Sequence, residues 1–208
     1  MTDDAVCEAT GKMHAAGVSD LAVSVFARFH AQLRSAVTGT IPEDSIDPLG
    51  EVATLADVTP GVVAREDLRA ALEHTVVIKL NGGLGTGMGV RGPKSALEVR
   101  DGFTFLDVIA RQVLALRRES GAQVPLMLMN SFRTRQESLA ILGRHPELEV
   151  DGLPLDFLQS MEPKLRADDL RPVQWPSDPE LEWCPPGHGD VYVALRTSGL
   201  LDALRARG

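Results

Sequence analysis

The strongest constraint on this chain is a β-rich run, Thr75-Val76-Val77-Ile78-Lys79-Leu80, that feeds directly into a glycine-rich segment, Asn81 to Ser95. An almost wholly apolar run of that length predicts a strand buried on both faces of a parallel sheet. The fifteen residues after it hold six of the chain's 19 glycines. Glycine permits positive φ, and it removes the side chains that would keep successive backbone N–H groups away from an anion. A strand emptying into such a loop sets those donors at the carboxyl end of a sheet, where open α/β folds take their ligands. Lys94 adds a mobile positive charge for phosphate oxygens, and Arg91 a second.

The elements on either side fit that reading. After the loop, Ser95 to Val99 reads as extended and Asp101-Gly102 as a turn. Thr104 and Asp107 have capping-box spacing and open a helix whose apolar stripe is Leu106, Ile109, Val113 and Leu116. Pro125 to Asn130 is a second buried strand, Ser131 caps a helix to about Leu142, and Leu155 to Ser160 is a third strand. Asp190 and Ser198 each open a short helix, Asp190 as its cap and not as a metal ligand. Alternating strands and helices predict a doubly wound α/β domain over 75–208. Residues 1–74 form an N-terminal helical segment and linker. One amphipathic helix is expected from Lys12 to Val37 on Val18, Leu21, Val25, Phe29 and Leu33, then a Pro- and Gly-bearing strap from Thr38 to Gly61, then a short helix from Arg65 to His74. Met88, Met127 and Met129 are expected in the core.

Charge and cysteine content narrow the function classes. With 21 Lys+Arg against 29 Asp+Glu, the net charge of −8 excludes generic binding to nucleic acid or to an anionic membrane. The N-terminus is acidic where a signal peptide would be basic, and no apolar run approaches the ~18 residues of a membrane span, so a cytoplasmic location is expected. Cys7 and Cys184 stand far apart and read as idle thiols. Two familiar phosphate motifs nearly fit the loop. Gly87-x-Gly89-x-x-Gly92 matches a dinucleotide fingerprint, but Pro93 and an extended stretch follow where a helix should begin. Gly92-Pro93-Lys94-Ser95 resembles a P-loop ending with Pro93 intruding before the lysine. The loop is therefore a phosphate cradle of another kind.

Four segments in register carry a resemblance to a known family. They are Lys79 to Gly89 with Gly92-Pro93-Lys94-Ser95, then Leu128-Met129-Asn130-Ser131-Phe132, then Phe157-Leu158-Gln159-Ser160, and last Trp183 to Tyr192 with Ser198-Gly199-Leu200-Leu201. Together they resemble the UTP–glucose-1-phosphate uridylyltransferases (UDP-glucose pyrophosphorylases) of the eukaryotic sequence type. The resemblance implies a truncated Rossmann-like, GT-A-like nucleotidyltransferase sheet. It also implies transfer of UMP from UTP to glucose 1-phosphate, with release of pyrophosphate and with magnesium as cofactor. By the same resemblance the backbone of Leu80, Asn81, Gly82 and Gly83 holds the nucleotide, Gly82 and Gly83 also meet substrate, and Lys94 contacts the UTP phosphates as the catalytic lysine. Gln159 reads the uracil edge, Gly187 contacts the nucleotide, and His188 contacts the sugar phosphate. Without the flanking segments, Gln159 would read as a solvated strand-end residue and His188 as an ordinary loop histidine. Arg91 stands where many relatives carry lysine, and Gly87 and Val90 fall at variable places in the signature.

Family members continue into a strand that bears a magnesium-binding aspartate, then into sugar-binding loops, a second phosphate-contacting lysine and a β-helix domain. The resemblance thus assigns this chain the UTP half of the site and no metal ligand. Three expectations follow: a uridylyltransferase; a non-catalytic nucleotide-binding fragment that needs a C-terminal partner or self-associates; or a pyrophosphorylase for another sugar 1-phosphate. The Leu-Asn-Gly-Gly-Leu-Gly-Thr wording favours glucose over N-acetylhexosamine.

Overall fold

The computed structural model describes residues 3–37, 39–54, 57, 63–89 and 92–207. Arg91 and Val90, and parts of the expected strap, lie outside these residues. The N-terminal segment contains two helices, α1 (Asp3–Ala15) and α2 (Asp20–Arg34), where the sequence predicts one. Gly17 sits at φ 76° between them, and Ser19 caps α2 by accepting the Ala22 N–H. A left-handed glycine followed by an N-cap serine ends one helix and starts another, which the apolar spacing alone does not reveal. The buried face also differs from the predicted stripe. Ala22, Val23, Phe26 and His30 turn inward, while Leu21, Phe29 and Leu33 are exposed. Phe26 and Val23 pack with Ala9 and Met13 against Leu165 and Trp183. Residues 39–54 carry only a 3₁₀ turn, Glu43–Ser45, and α3 (Arg65–Glu73) follows as expected.

The rest of the chain is built on β1 (Val77–Asn81), the hairpin β2 (Glu98–Arg100) and β3 (Phe103–Thr104), and α4 (Phe105–Ser120). Then come β4 (Leu126–Asn130), α5 (Arg135–Leu142), β5 (Asp156–Leu158), the pair β6 (Glu162–Pro163) and β7 (Trp183–Cys184), α6 (Val191–Thr197) and α7 (Leu200–Arg205). Strands β1, β4 and β5 form a parallel sheet in the order β1-β4-β5. Asn81 lies opposite Asn130, and Asn130 opposite Leu158, so the carboxyl ends of all three strands are level. Only the central strand β4 is buried throughout; β1 is half-buried over four of its five residues and, among the described residues, has a ladder partner on one side alone. The expected cover on both faces is present but incomplete, with Val77 packed into one core and Ile78 and Leu80 into the other.

Helices cover both faces of the sheet. On one, Leu126 and Leu128 pack against Leu106, Ala110 and Val113 of α4 and against Ile141 and Leu142 of α5. On the other, Met127, Met129 and Phe157 pack against Ala194 of α6 and Leu200 of α7. Alternation along β4 sends successive side chains to opposite faces, which explains how one apolar run serves two cores. The predicted start of α4 is present as a reciprocal capping box, with Thr104 accepting the Asp107 N–H and Asp107 accepting the Thr104 N–H. Such a cap contributes about 1 kcal/mol. Ser131 does not cap α5 directly; the turn from Ser131 to Thr134 intervenes, and the helix begins at Arg135. Ser95 to Val99 is not extended throughout: a 3₁₀ turn, Lys94–Ala96, comes first. Met127 and Met129 are buried as expected, whereas Met88 is exposed.

Candidate functional site

The glycine loop is closed on itself by backbone bonds. The Gly85 N–H donates to Gly92 O (2.9 Å), and the Lys94 N–H donates to Gly83 O (3.1 Å). Lys94 is therefore brought back over the start of the loop, with its side-chain stem about 4 Å from where a Cβ on Gly83 would stand. On the neighbouring residue, Gly82, a Cβ would collide with Gln159 Nε2 and come within 2.9 Å of its Cδ and Oε1. Position 82 is thus crowded by the end of a side chain, and its backbone conformation does not call for glycine. Two adjacent glycines carry an amide against one and the stem of a cation against the other.

Gln159 follows β5 and is buried at 7% exposure. Its backbone N–H donates to Asn130 O (2.9 Å), but its side-chain Oε1 is buried with no hydrogen-bond partner. A buried acceptor without a donor costs about 1–3 kcal/mol and marks a place where a ligand's N–H is wanted. An open cleft of 450 Å³ runs along the β5 exit, lined among others by Phe132, Arg135, Leu158, Gln159 and Ser160. The loop that carries Gly187 and His188 reaches this edge through Asp190, whose carboxylate accepts the Ser160 N–H (2.5 Å). Gly187 has φ 105°, a conformation that favours glycine, and His188 is exposed.

One expectation about an individual residue changes. Asp190 makes no side-chain bond to the helix that follows it, so it is a tether between two loops and not a helix cap. The Asn81 side chain is unavailable to a ligand. Its Nδ2 donates to Asn130 Oδ1 (2.8 Å) and Ser138 Oγ (2.8 Å), and its Oδ1 accepts the Ser95 hydroxyl (2.6 Å). Only its backbone can face a nucleotide. The cysteines are free: Cys7 is exposed, and Cys184 is half-buried with its thiol pushed up by burial and by the nearby Glu162 charge.

Beneath the loops lies a polar network that sequence reasoning missed. Asn130 Nδ2 donates to Asp156 Oδ2 (3.2 Å), and Arg135 pairs with both Asp156 oxygens (2.8 and 3.2 Å). The available signal was a polar residue, Asn130, closing an otherwise apolar strand, since a buried amide must find partners. The electrostatics around the site are uneven. Burial lowers the Lys79 pKa, and its ammonium donates to Leu80 O (2.7 Å). Burial raises Asp190 despite its bonds to Ser160, and burial with the Asp190 charge raises Glu162. Among the described residues no three His, Cys, Asp or Glu side chains gather in a way that could hold a metal ion.

The class is set by that geometry: a mixed α/β protein whose loops converge at the carboxyl ends of a small parallel sheet. The chain belongs to the UTP–glucose-1-phosphate uridylyltransferase family, whose profile matches residues 23–208. It is 42% identical over 169 residues to the UTP–glucose-1-phosphate uridylyltransferase of Solanum tuberosum, covering 81% of this chain and 32% of that protein. A Trypanosoma brucei UDP-glucose phosphorylase structure superposes with a TM-score of 0.86 at 43% identity, covering 99% of this chain and 43% of the other. A Leishmania major UDP-glucose pyrophosphorylase variant solved with UDP-glucose gives 0.86 at 38%, covering 98% and 42%. The chain thus spans about a third of the length of the curated relatives it matches.

Proposed function

We propose that this chain carries the UTP-binding part of an enzyme that forms UDP-glucose and pyrophosphate from UTP and glucose 1-phosphate. The observation that carries the reading is the buried, unpartnered Gln159 Oε1 pressed against Gly82, beside the glycine loop. An amide both donates and accepts, which matches the alternating groups on the edge of uracil. The uracil N–H would supply the donor that Oε1 lacks. In this reading the backbone of Leu80, Asn81, Gly82 and Gly83 and that of Gly187 hold the nucleotide, Lys94 meets the phosphates, and His188 meets the sugar phosphate.

In the reaction, an oxygen of glucose 1-phosphate attacks the α-phosphorus of UTP. The bond from that phosphorus to the bridging oxygen breaks, and pyrophosphate leaves with the electron pair. Negative charge is redistributed without covalent chemistry by the protein, so positioning and charge neutralisation supply the rate. Lys94 fits the second role, since its stem already overhangs Gly83. Magnesium belongs to the proposal as an ion arriving on the triphosphate, whose oxygens bind it readily. The truncated, Rossmann-like form of a GT-A-like sheet and a cytoplasmic location belong to the same reading.

A second reading, a binding fragment without catalysis, is favoured by the sheet edges. Among the described residues β1 and β5 each have one ladder partner, and an open edge suits a C-terminal partner chain or self-association. Titration calorimetry with UTP and CTP tests the uracil role: UTP is expected to bind at least tenfold more tightly, and equal affinities would sink it. A pyrophosphate-release assay with UTP, glucose 1-phosphate and magnesium separates the two readings. Turnover near one per second, a usual enzyme rate, supports catalysis, and binding without release supports the fragment.

A further inference from the structure

Asn130 ends the central strand and is wholly buried. Its side chain joins both neighbouring strands, accepting from Asn81 on β1 and donating to Asp156 on β5. Its backbone carbonyl accepts the Gln159 N–H. Asn81 immediately precedes Gly82, and its other side-chain atom holds Ser95, next to Lys94. One residue is therefore bonded both to the neighbour of Gly82 and to the residue whose amide Gly82 touches. The clearance between them is too small for a methyl group, so a displacement of the loop by a fraction of an ångström alters the contact. On the far side, Arg135 pins Asp156 with two bonds and so fixes the direction of the Asn130 amide.

We propose that Asn130 is a positioning residue that sets the glycine loop against the Gln159 amide and thereby sets discrimination between pyrimidine bases. The inference rests on the uracil reading of Gln159. Backbone pairing keeps both β1 and Gln159 on β4 in any side-chain variant, but the Asn81 side chain would lose its bond to β4 and hold only to Ser138 and Ser95. The start of the loop, into which Asn81 leads, would then shift against the amide without loss of either. A merely structural asparagine would lower stability and leave base preference alone.

The test is made in the full 208-residue chain, with circular dichroism and urea unfolding to establish the folded state. Asn130→Ala is expected to weaken UTP by about tenfold, the scale of one lost buried hydrogen bond. CTP should change far less, so the UTP-to-CTP affinity ratio collapses toward one. Asn130→Asp sets carboxylate against carboxylate and should also lose the ratio. Asn130→Ser is too short to reach both strands and should lose the ratio likewise, so it carries the test if the alanine variant does not fold. A wild-type preference that survives in Asn130→Ala, or in Asn130→Ser where the alanine variant does not fold, overturns this inference alone. A wild-type chain that binds UTP and CTP alike overturns the uracil reading, and this inference with it.

Discussion

Asp107 and Asp190 are both buried carboxylates, and their surroundings differ in a way that separates framework from site. Asp107, at the head of α4, accepts from the Thr104 N–H (2.8 Å) and hydroxyl (2.7 Å), from His145 Nε2 (2.8 Å) and from Arg144 (3.4 Å). Burial pushes its pKa up, but the two Thr104 bonds, His145 and the Arg144 charge outweigh that and hold it below the ordinary value. Asp190 has Ser160 alone, burial prevails, and its pKa is raised. Glu162 beside it is raised as well. The framework acid has four donors around it. The acid at the site's edge has Ser160 alone, and Gln159, next to Ser160, has a buried oxygen with no partner. Polar groups left short of partners at the mouth of a sheet are what a ligand-binding edge looks like, whereas a structural core completes its own bonds.

The largest effect expected from this contrast is at Asp107. Asp107→Ala removes the reciprocal half of the α4 capping box and leaves His145 without its buried partner, for a loss of about 3 kcal/mol in urea unfolding. UTP affinity of the folded fraction should be nearly unchanged, since no glycine-loop residue touches the cluster in the bonds above. A loss below about 1 kcal/mol would erase the distinction between the two acids. Next in size is Gly82→Ala. The new methyl group must displace the Gln159 amide, the far end of a flexible side chain, so stability should hardly move. UTP binding should weaken by about tenfold, as for one misplaced buried hydrogen bond, and CTP binding by less. Calorimetry on both ligands reads the outcome, and an unaltered UTP affinity would show that Gln159 does not face the base.

Much of the α/β unit was legible because local signals agreed with the global fold. The capping box at Thr104, the apolar run before Asn130 and the glycine loop after β1 each mark their element in a few residues. The N-terminal segment was less legible. Its apolar residues repeat at helical spacing on the exposed side, and the inward face is filled by Ala22, Val23, Phe26 and His30. A buried histidine that bonds to Leu170 O depends on a partner 140 residues away, which no periodicity can show. The same reason hid the network beneath the loops: Asn81, Asn130 and Asp156 are unremarkable one at a time and become a unit only when three strands stand side by side. Gln159 and Gly187 stood out only through the resemblance of their segments to a known family, whereas the tether from Asp190 to Ser160 resembled a helix cap because Asp190 does precede α6.

The smallest expected effect sharpens the comparison most, because the two acids should pull stability in opposite directions with pH. Asp107 has a lowered pKa, so its contribution is present above the ordinary carboxylate range and is lost as pH falls through its folded value. Asp190 and Glu162 have raised values, from ordinary ones of 3.8 and 4.5. Their contribution is complete below those ordinary values and is lost as pH rises through the raised folded ones. Asp190→Asn keeps an oxygen to accept the Ser160 N–H and removes the charge, so it deletes one of the two descending contributions and relieves Glu162 of a repulsive neighbour. At pH 3.5 the variant and the wild type should be nearly equally stable. As pH rises toward 7, the variant should become progressively the more stable, the direction set by the raised values of Asp190 and Glu162. Urea unfolding at half-unit pH steps, with m-values compared, measures the difference directly. A difference that stays flat across this window would mean that Asp190 is as well satisfied as Asp107, and the division into framework and site would have to rest on Gln159 alone.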